Sequence, residues 1–120
     1  MKTNQCCQRP EIEAEFPGVG SQAAFNRAGG GIVLVLLEEN TRQYQNALHE
    51  AERELWMQVN AKATIENAEL RTVRPIKVFY KRRGRDRYQY LDEVRFLRAV
   101  SGTDYYVFGL SSAVDFGVHC

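Results

Sequence analysis

At 120 residues, 44% hydrophobic and 26% charged, the chain has the length and make-up of one ordinary globular domain, which buries roughly two-thirds of its unfolded surface. This excludes a disordered tract, and no run approaches the roughly 18 apolar residues of a spanning helix, so no membrane partner is expected. Sixteen Lys and Arg against fifteen Asp and Glu leave a net charge of +1, which excludes a uniformly basic nucleic-acid binder.

Residues 1–30 read as a flexible or loosely packed N-terminal arm, and residues 31–120 as a single domain. The arm carries Pro10, Pro17, Gly18, Gly20, Gly29 and Gly30, with Gly31 at the boundary, and few sizeable apolar anchors. Within it Ile12, Ala14 and Phe16 alternate with Glu11, Glu13 and Glu15, the pattern of a short edge strand. The polar start, Met1-Lys2-Thr3-Asn4-Gln5, lacks the apolar core of a secretion signal, and a cytoplasmic address is expected. Cys6, Cys7 and Cys120 lie at the two ends of the chain, so reduced thiols are expected. With His49 and His119 the only histidines, the spacing of a zinc site is missing as well, and no metal is assigned.

Residues 32–37, Ile-Val-Leu-Val-Leu-Leu, form a continuous apolar run that predicts a central strand covered on both faces. Residues 40–62 then predict one long amphipathic helix. Tyr44, Ala47, Leu48, Ala51, Leu55 and Val59 recur at three- and four-residue steps, Asn40 is a good N-cap, and Gln43 stands where it can complete a capping box. Trp56, Met57, His49 and Glu52 lie off that stripe, so Trp56 and Met57 are candidates for a self-association surface. Residues 63–70 fit either an extension of the helix or the start of a strand.

From Arg71 the apolar residues Val73, Ile76, Val78 and Tyr80 are interleaved with charge, and Pro75 forbids a helix interior. Residues 81–87 read as a hairpin tip around Gly84, with Tyr88 and Tyr90 opening the return strand. Residues 91–100 fit a helix capped by Asp92 or a strand pairing with residues 105–108; the β-branched and aromatic content on both sides of the turn favours the strand. The fold expected is therefore α+β, one long helix packed on an antiparallel sheet in the order β-α-β-β-β, with a cystatin-like or NTF2-like shape. Read with the helix, the order is the ferredoxin-like β-α-β-β-α-β. Ser101-Gly102-Thr103-Asp104-Tyr105-Tyr106 resembles a fragment of the cystatin inhibitory-loop region over six residues, without the Gln-x-Val that precedes it there; protease inhibition does not carry over.

Charge is unevenly placed. Residues 71–98 hold ten basic and three acidic side chains, and residues 38–69 three basic and seven acidic, a layout that steers an anionic partner or lets copies associate. Lys77, Lys81, Arg82, Arg83, Arg85 and Arg87 supply phosphate contacts for a nucleic acid or other polyanion, and Phe79, Tyr80, Tyr88 and Tyr90 supply stacking faces. Gly18-Val19-Gly20-Ser21-Gln22-Ala23 matches G-x-G-x-x-A with Glu38 about 20 residues on, but the repeated β-α units of a dinucleotide fold do not follow, and no cofactor is expected. A pocket enzyme of NTF2-like shape would need Asp92, Asp104 or Asp115 inside its cavity. The function expected is a small non-catalytic binding or assembly module, self-associating as a homodimer. The alternatives are a nucleic-acid-binding module using the basic hairpin at residues 77–90, and the pocket enzyme.

Overall fold

The computed structural model of the chain describes residues 1–38, 45–100 and 104–120. Among them it has eight strands and two short helices in the order β1 (Cys6–Cys7), α1 (Arg9–Glu15), β2 (Phe25–Ala28), β3 (Gly31–Leu37), β4 (Asn46–His49), β5 (Glu54–Gln58), α2 (Thr64–Thr72), β6 (Ile76–Lys81), β7 (Tyr88–Ala99) and β8 (Tyr105–Gly109). The strands form one mixed sheet, β2-β3-β6-β7-β8-β5-β4, with β1 added to β7.

The expected fold of one long helix on an antiparallel sheet is overturned, and so is its ferredoxin-like alternative. The stretch expected as that helix holds β4 and β5, an antiparallel hairpin with Ala47 opposite Trp56 and Leu48 opposite Leu55. Asn40, Gln43 and Tyr44 lie outside the described residues. The hairpin turns through Glu50-Ala51-Glu52-Arg53, where the Arg53 N–H donates to the Glu50 carbonyl at 3.1 Å and Arg53 takes φ of 54°. Ala, Glu, Gln and Arg are good helix formers, but intrinsic propensity separates residues by well under 1 kcal/mol each. Pairing of β5 with β8 over five residues, Glu54 to Gln58, and burial of Leu55 and Met57 outweigh it. Leu55, Met57 and Val59 fall on one face at a period of two, which the three- and four-residue reading obscured.

β3 is the expected central strand. It pairs antiparallel with β2 and parallel with β6, and its five residues from Ile32 to Leu36 are all buried. Its two faces feed two cores. Ile32, Leu34 and Leu36 join Leu55, Met57, Tyr80, Leu91, Tyr106 and Phe108. Val33 and Val35 join Cys7, Ile12, Phe16, Phe79, Tyr88 and Tyr90. Because β3 and β5 stand well apart in the sheet order yet share the first core, the sheet curls on itself. The Asn46 side-chain N–H donates to the Leu37 carbonyl at 3.0 Å, which ties β4 to the end of β3 across the seam.

Residues 95–99 and 106–109 meet as the strand reading of that region requires, with Phe96 opposite Phe108 and Ala99 opposite Tyr106. β7 is long enough to serve both halves of the sheet because it bends at two irregularities. Leu91 is the extra residue between the pairs Val78–Asp92 and Phe79–Tyr90, and Leu97 the extra one between Phe96–Phe108 and Arg98–Val107. Such bulges re-aim a strand. Asp92, with φ of 61°, sits at the first. Burial pushes its carboxyl up, but hydrogen bonds from the Thr3 hydroxyl, the Glu93 N–H and the Tyr90 hydroxyl outweigh burial and hold it below the usual range.

Residues 1–30, expected as an arm, carry β1, α1 and β2 and half of the buried residues of the second core. The Ile12–Phe16 alternation, expected as an edge strand, is the helix α1. Pro10 stands in its first turn, and Gln8 and Glu11 form a reciprocal capping box, so the local start signals outvote a three-residue alternation. Ile12 is fully buried beneath it. The expectation of reduced thiols is overturned as well: Cys6 and Cys120 form a disulfide with their Cα atoms 5.5 Å apart. The ends meet because Asn4 anchors the C-terminal tail, donating to the Ala113 carbonyl at 2.8 Å and accepting from the Asp115 N–H at 2.9 Å. Among the described residues no helix is long and apolar enough to cross a membrane.

Candidate functional site

Among the described residues, two regions carry side chains that the core does not consume. The first is the outer face of β4, β5, β8 and the second half of β7. Neither helix covers it: Ile12 of α1 belongs to the second core and Leu70 of α2 to the first. Trp56 stands at its centre, half-buried. Its ring stacks on His49 with centroids 4.5 Å apart and planes 5° from parallel, and Tyr105 leans on it at 6.1 Å. The Arg98 guanidinium lies 5.9 Å from the Trp56 centroid and grips Glu54 with two hydrogen bonds, 2.9 and 3.0 Å. Those hydrogen bonds hold the Glu54 carboxyl below its ordinary pKa and raise that of Arg98. The platform thus pairs three aromatic rings with one fixed ion pair.

Of the two residues expected for self-association, Trp56 is on this face. Met57 is inside the first core at 7% exposure, because adjacent strand residues point to opposite sides. Arg98, Glu54 and Tyr105 were not singled out by the sequence reading. The signal was present in residues 54–59, where Glu54, Trp56 and Gln58 alternate with Leu55, Met57 and Val59.

The second region is the β6–β7 hairpin, which forms as expected with Gly84 at φ of 74°. Its cations are largely held by neighbours. Lys77 lies 5.2 Å over the Phe16 ring and Lys81 5.5 Å over Tyr88. Arg82 pairs with Glu50 at 3.4 Å and donates to the Phe116 carbonyl at 3.2 Å, and Arg85 donates to the His119 ring. Arg83 and Arg87 are exposed at the tip. The aromatic side chains are not on the surface: Tyr88 and Tyr90 are 6% and 2% exposed, and Phe79 and Tyr80 are buried too. These four rings belong to the two cores and not to the outer surface of the hairpin.

The remaining motifs separate. Gly18 to Ala23 is loop leading into β2 with no helix after it, and Glu38 accepts from the buried Tyr80 hydroxyl at 2.9 Å. A pyrophosphate cradle needs the helix that is missing. Asp104 and Asp115 are exposed, and Asp92 is committed to the β7 bulge. The cavity at the sheet seam, about 310 Å³, has Glu66 as its carboxylate and none of the three Asp residues in its lining.

No family model matches the chain, no curated protein matches it, and no solved structure matches it.

Proposed function

We propose that this protein is a small non-catalytic binding module that associates with a second copy of itself through the outer face of β4, β5, β8 and β7. The observation that carries this reading is Trp56 stacked on His49 and flanked by Tyr105 and Arg98 on a sheet face that neither helix covers. Trp, Tyr and Arg are the residues enriched at the centres of protein interfaces. Arg98 and Glu54 stand there together, so the face is complementary in charge to a copy of itself, as a two-fold pairing requires. Sedimentation velocity tests the reading: the wild type sediments as a dimer and Trp56→Ala as a monomer with unchanged far-UV circular dichroism. A wild type that stays monomeric over the accessible concentration range overturns it.

A second reading, contact of the hairpin with a nucleic acid or other polyanion, is favoured by the exposure of Arg83 and Arg87 at its tip. It predicts a salt-dependent shift with DNA or RNA, weakened in Arg83→Ala and Arg87→Ala. A cytoplasmic address would keep Cys6 and Cys120 as thiols, whereas the bond between them belongs to an oxidising compartment; the thiol content of protein purified from each setting separates the two.

A further inference from the structure

Residues 110–120 belong to no strand or helix, yet they are held against the sheet in two different ways. As far as Phe116 the hold is noncovalent and comes from several sides. The Leu110 N–H donates to the Arg53 carbonyl at 3.0 Å, and Arg53 donates from one terminal nitrogen to the Ser111 and Val114 carbonyls, both at 2.8 Å. Val114 is buried in the first core, Asn4 and Gln89 bond the backbone of Ala113 and Asp115, and the Phe116 ring lies 5.0 and 6.0 Å from the guanidiniums of Arg53 and Arg82.

Beyond Phe116 the hold changes. The Gly117 and Val118 N–H groups donate only backward, to the Asp115 carboxylate at 2.8 Å and the Asp115 carbonyl at 3.4 Å. Among the described residues, residues 117–120 are tied to the rest of the sheet by the Cys6–Cys120 bond and by the His119 ring, which accepts from Arg85. One exposed hydrogen bond does not offset the entropy of ordering that backbone, so the covalent bond is what keeps His119 on Arg85. Cys6 stands opposite Gln89 at the foot of the β6–β7 hairpin, which is why closing the bond brings this segment to a hairpin cation. Arg85 Nε is buried and has no hydrogen-bond partner among the described residues, so the closed arrangement leaves part of this guanidinium unsatisfied.

We propose that the Cys6–Cys120 bond is a redox-operated strap that masks Arg85 while closed and, once cut by a dithiol reductant, releases that guanidinium to a phosphate of a nucleic acid. A thiolate of the reductant attacks one sulfur of the two partly exposed cysteines, its second thiol resolves the mixed disulfide, and Cys6 and Cys120 become thiols, each taking one electron and one proton from the dithiol. Cys7 takes no part: adjacent strand residues point to opposite sides, and it is fully buried in the second core. Arg87 is exposed two residues along, so the open hairpin presents Arg85 and Arg87 together. With the hairpin's rings in the cores, the contact is to backbone phosphates and independent of base sequence. The inference rests on the nucleic-acid reading of the hairpin and adds its control by redox state.

Fluorescence anisotropy of a labelled oligothymidylate, titrated with oxidised protein and with protein reduced by dithiothreitol at several salt concentrations, tests it. Reduction is expected to tighten binding about tenfold, the worth of one charge-assisted hydrogen bond, and to steepen the plot of log K against log salt by about 0.7, one added phosphate contact on a single strand. Cys120→Ser is expected to bind without reductant as the reduced wild type does. His119→Ala keeps the disulfide and uncovers Arg85, so it is expected to bind more tightly than the oxidised wild type while circular dichroism stays native. Arg85→Ala is expected to bind equally in the two states. Binding with the same affinity and slope in both redox states of the wild type, or no gain in His119→Ala, overturns the strap and leaves the hairpin reading standing. Absence of binding in either state overturns the hairpin reading and the strap with it.

Discussion

Arg98 and Glu54 join across the sheet from β7 to β5, two hydrogen bonds of 2.9 and 3.0 Å closing the pair, with the guanidinium over the Trp56 ring. The hydrogen bonds from Arg98 are the main reason that the Glu54 carboxyl titrates below its ordinary value. A carboxyl whose pKa is lower folded than unfolded adds stability above the unfolded value, near 4.3, and that contribution is lost as pH falls through the folded value. Glu54→Gln is therefore expected to lower the urea midpoint at about pH 7 and to lower it by less at about pH 3, below the unfolded value. An equal gap at both values would show that no proton is linked to the pair.

Gly31 is the residue on which the parallel pairing of β3 and β6 depends. A methyl group there would stand 2.1 Å from the Pro75 carbonyl oxygen, the atom that accepts from the Ile32 N–H at 2.9 Å. A methyl at Gly30 meets nothing within 4 Å, and only its φ of 74° opposes a side chain. Gly30→Ala is expected to cost about 1–2 kcal/mol. Gly31→Ala is expected to cost more than about 4 kcal/mol or to prevent folding. Denaturant titration of the two variants side by side checks the order.

α1 closes the second core through Ile12, which is fully buried, whereas Ile65 on α2 is 72% exposed. Ile12→Ala should lose about 2–5 kcal/mol, the cost of deleting a buried branched side chain and leaving a cavity. Ile65→Ala should stay within about 0.5 kcal/mol of the wild type. Urea midpoints read both, and a near-neutral Ile12→Ala would mean that α1 does not hold the sheet.

The chain's two ends are joined across a sequence separation of 114 residues, which restricts the unfolded chain more than the folded one. Cys6→Ser should lower stability by about 2–4 kcal/mol. Cys7, one residue away, is fully buried, and burial pushes its thiol up to about 11, so the reactive thiolate is scarce at neutral pH. Iodoacetamide is expected to leave Cys7 unmodified in the native protein and to label it in guanidinium, read by intact mass.

Much of the strand layout could be read from the residues. Ile32 to Leu36 are apolar without interruption because both faces of β3 are covered, and the β6–β7 hairpin declares itself by β-branched and aromatic strands around Gly84. The candidate site was half legible. Trp56 stood out because it failed to fit a helical stripe, yet Met57 beside it points the other way, and Arg98 and Tyr105 reach Trp56 only through the pairing of β5 with β8 and β8 with β7.

What the sequence by itself determined is local: an uninterrupted apolar strand, a turn at a glycine, a Pro-led helix start that the alternation of Ile12 and Phe16 concealed, and a chain whose positive charge is gathered in residues 71–98. Whether residues 45–59 coil or extend was decided only by tertiary structure. Their helix propensity is worth tenths of a kilocalorie per residue, and the competing gain, β8 alongside β5 and the sheet curled over Leu55 and Met57, comes from residues some fifty positions further along the chain. The same long-range closure places Arg9 and Asn46 in one cavity and brings Cys6 to Cys120, because contacts between distant segments leave no periodicity in either one.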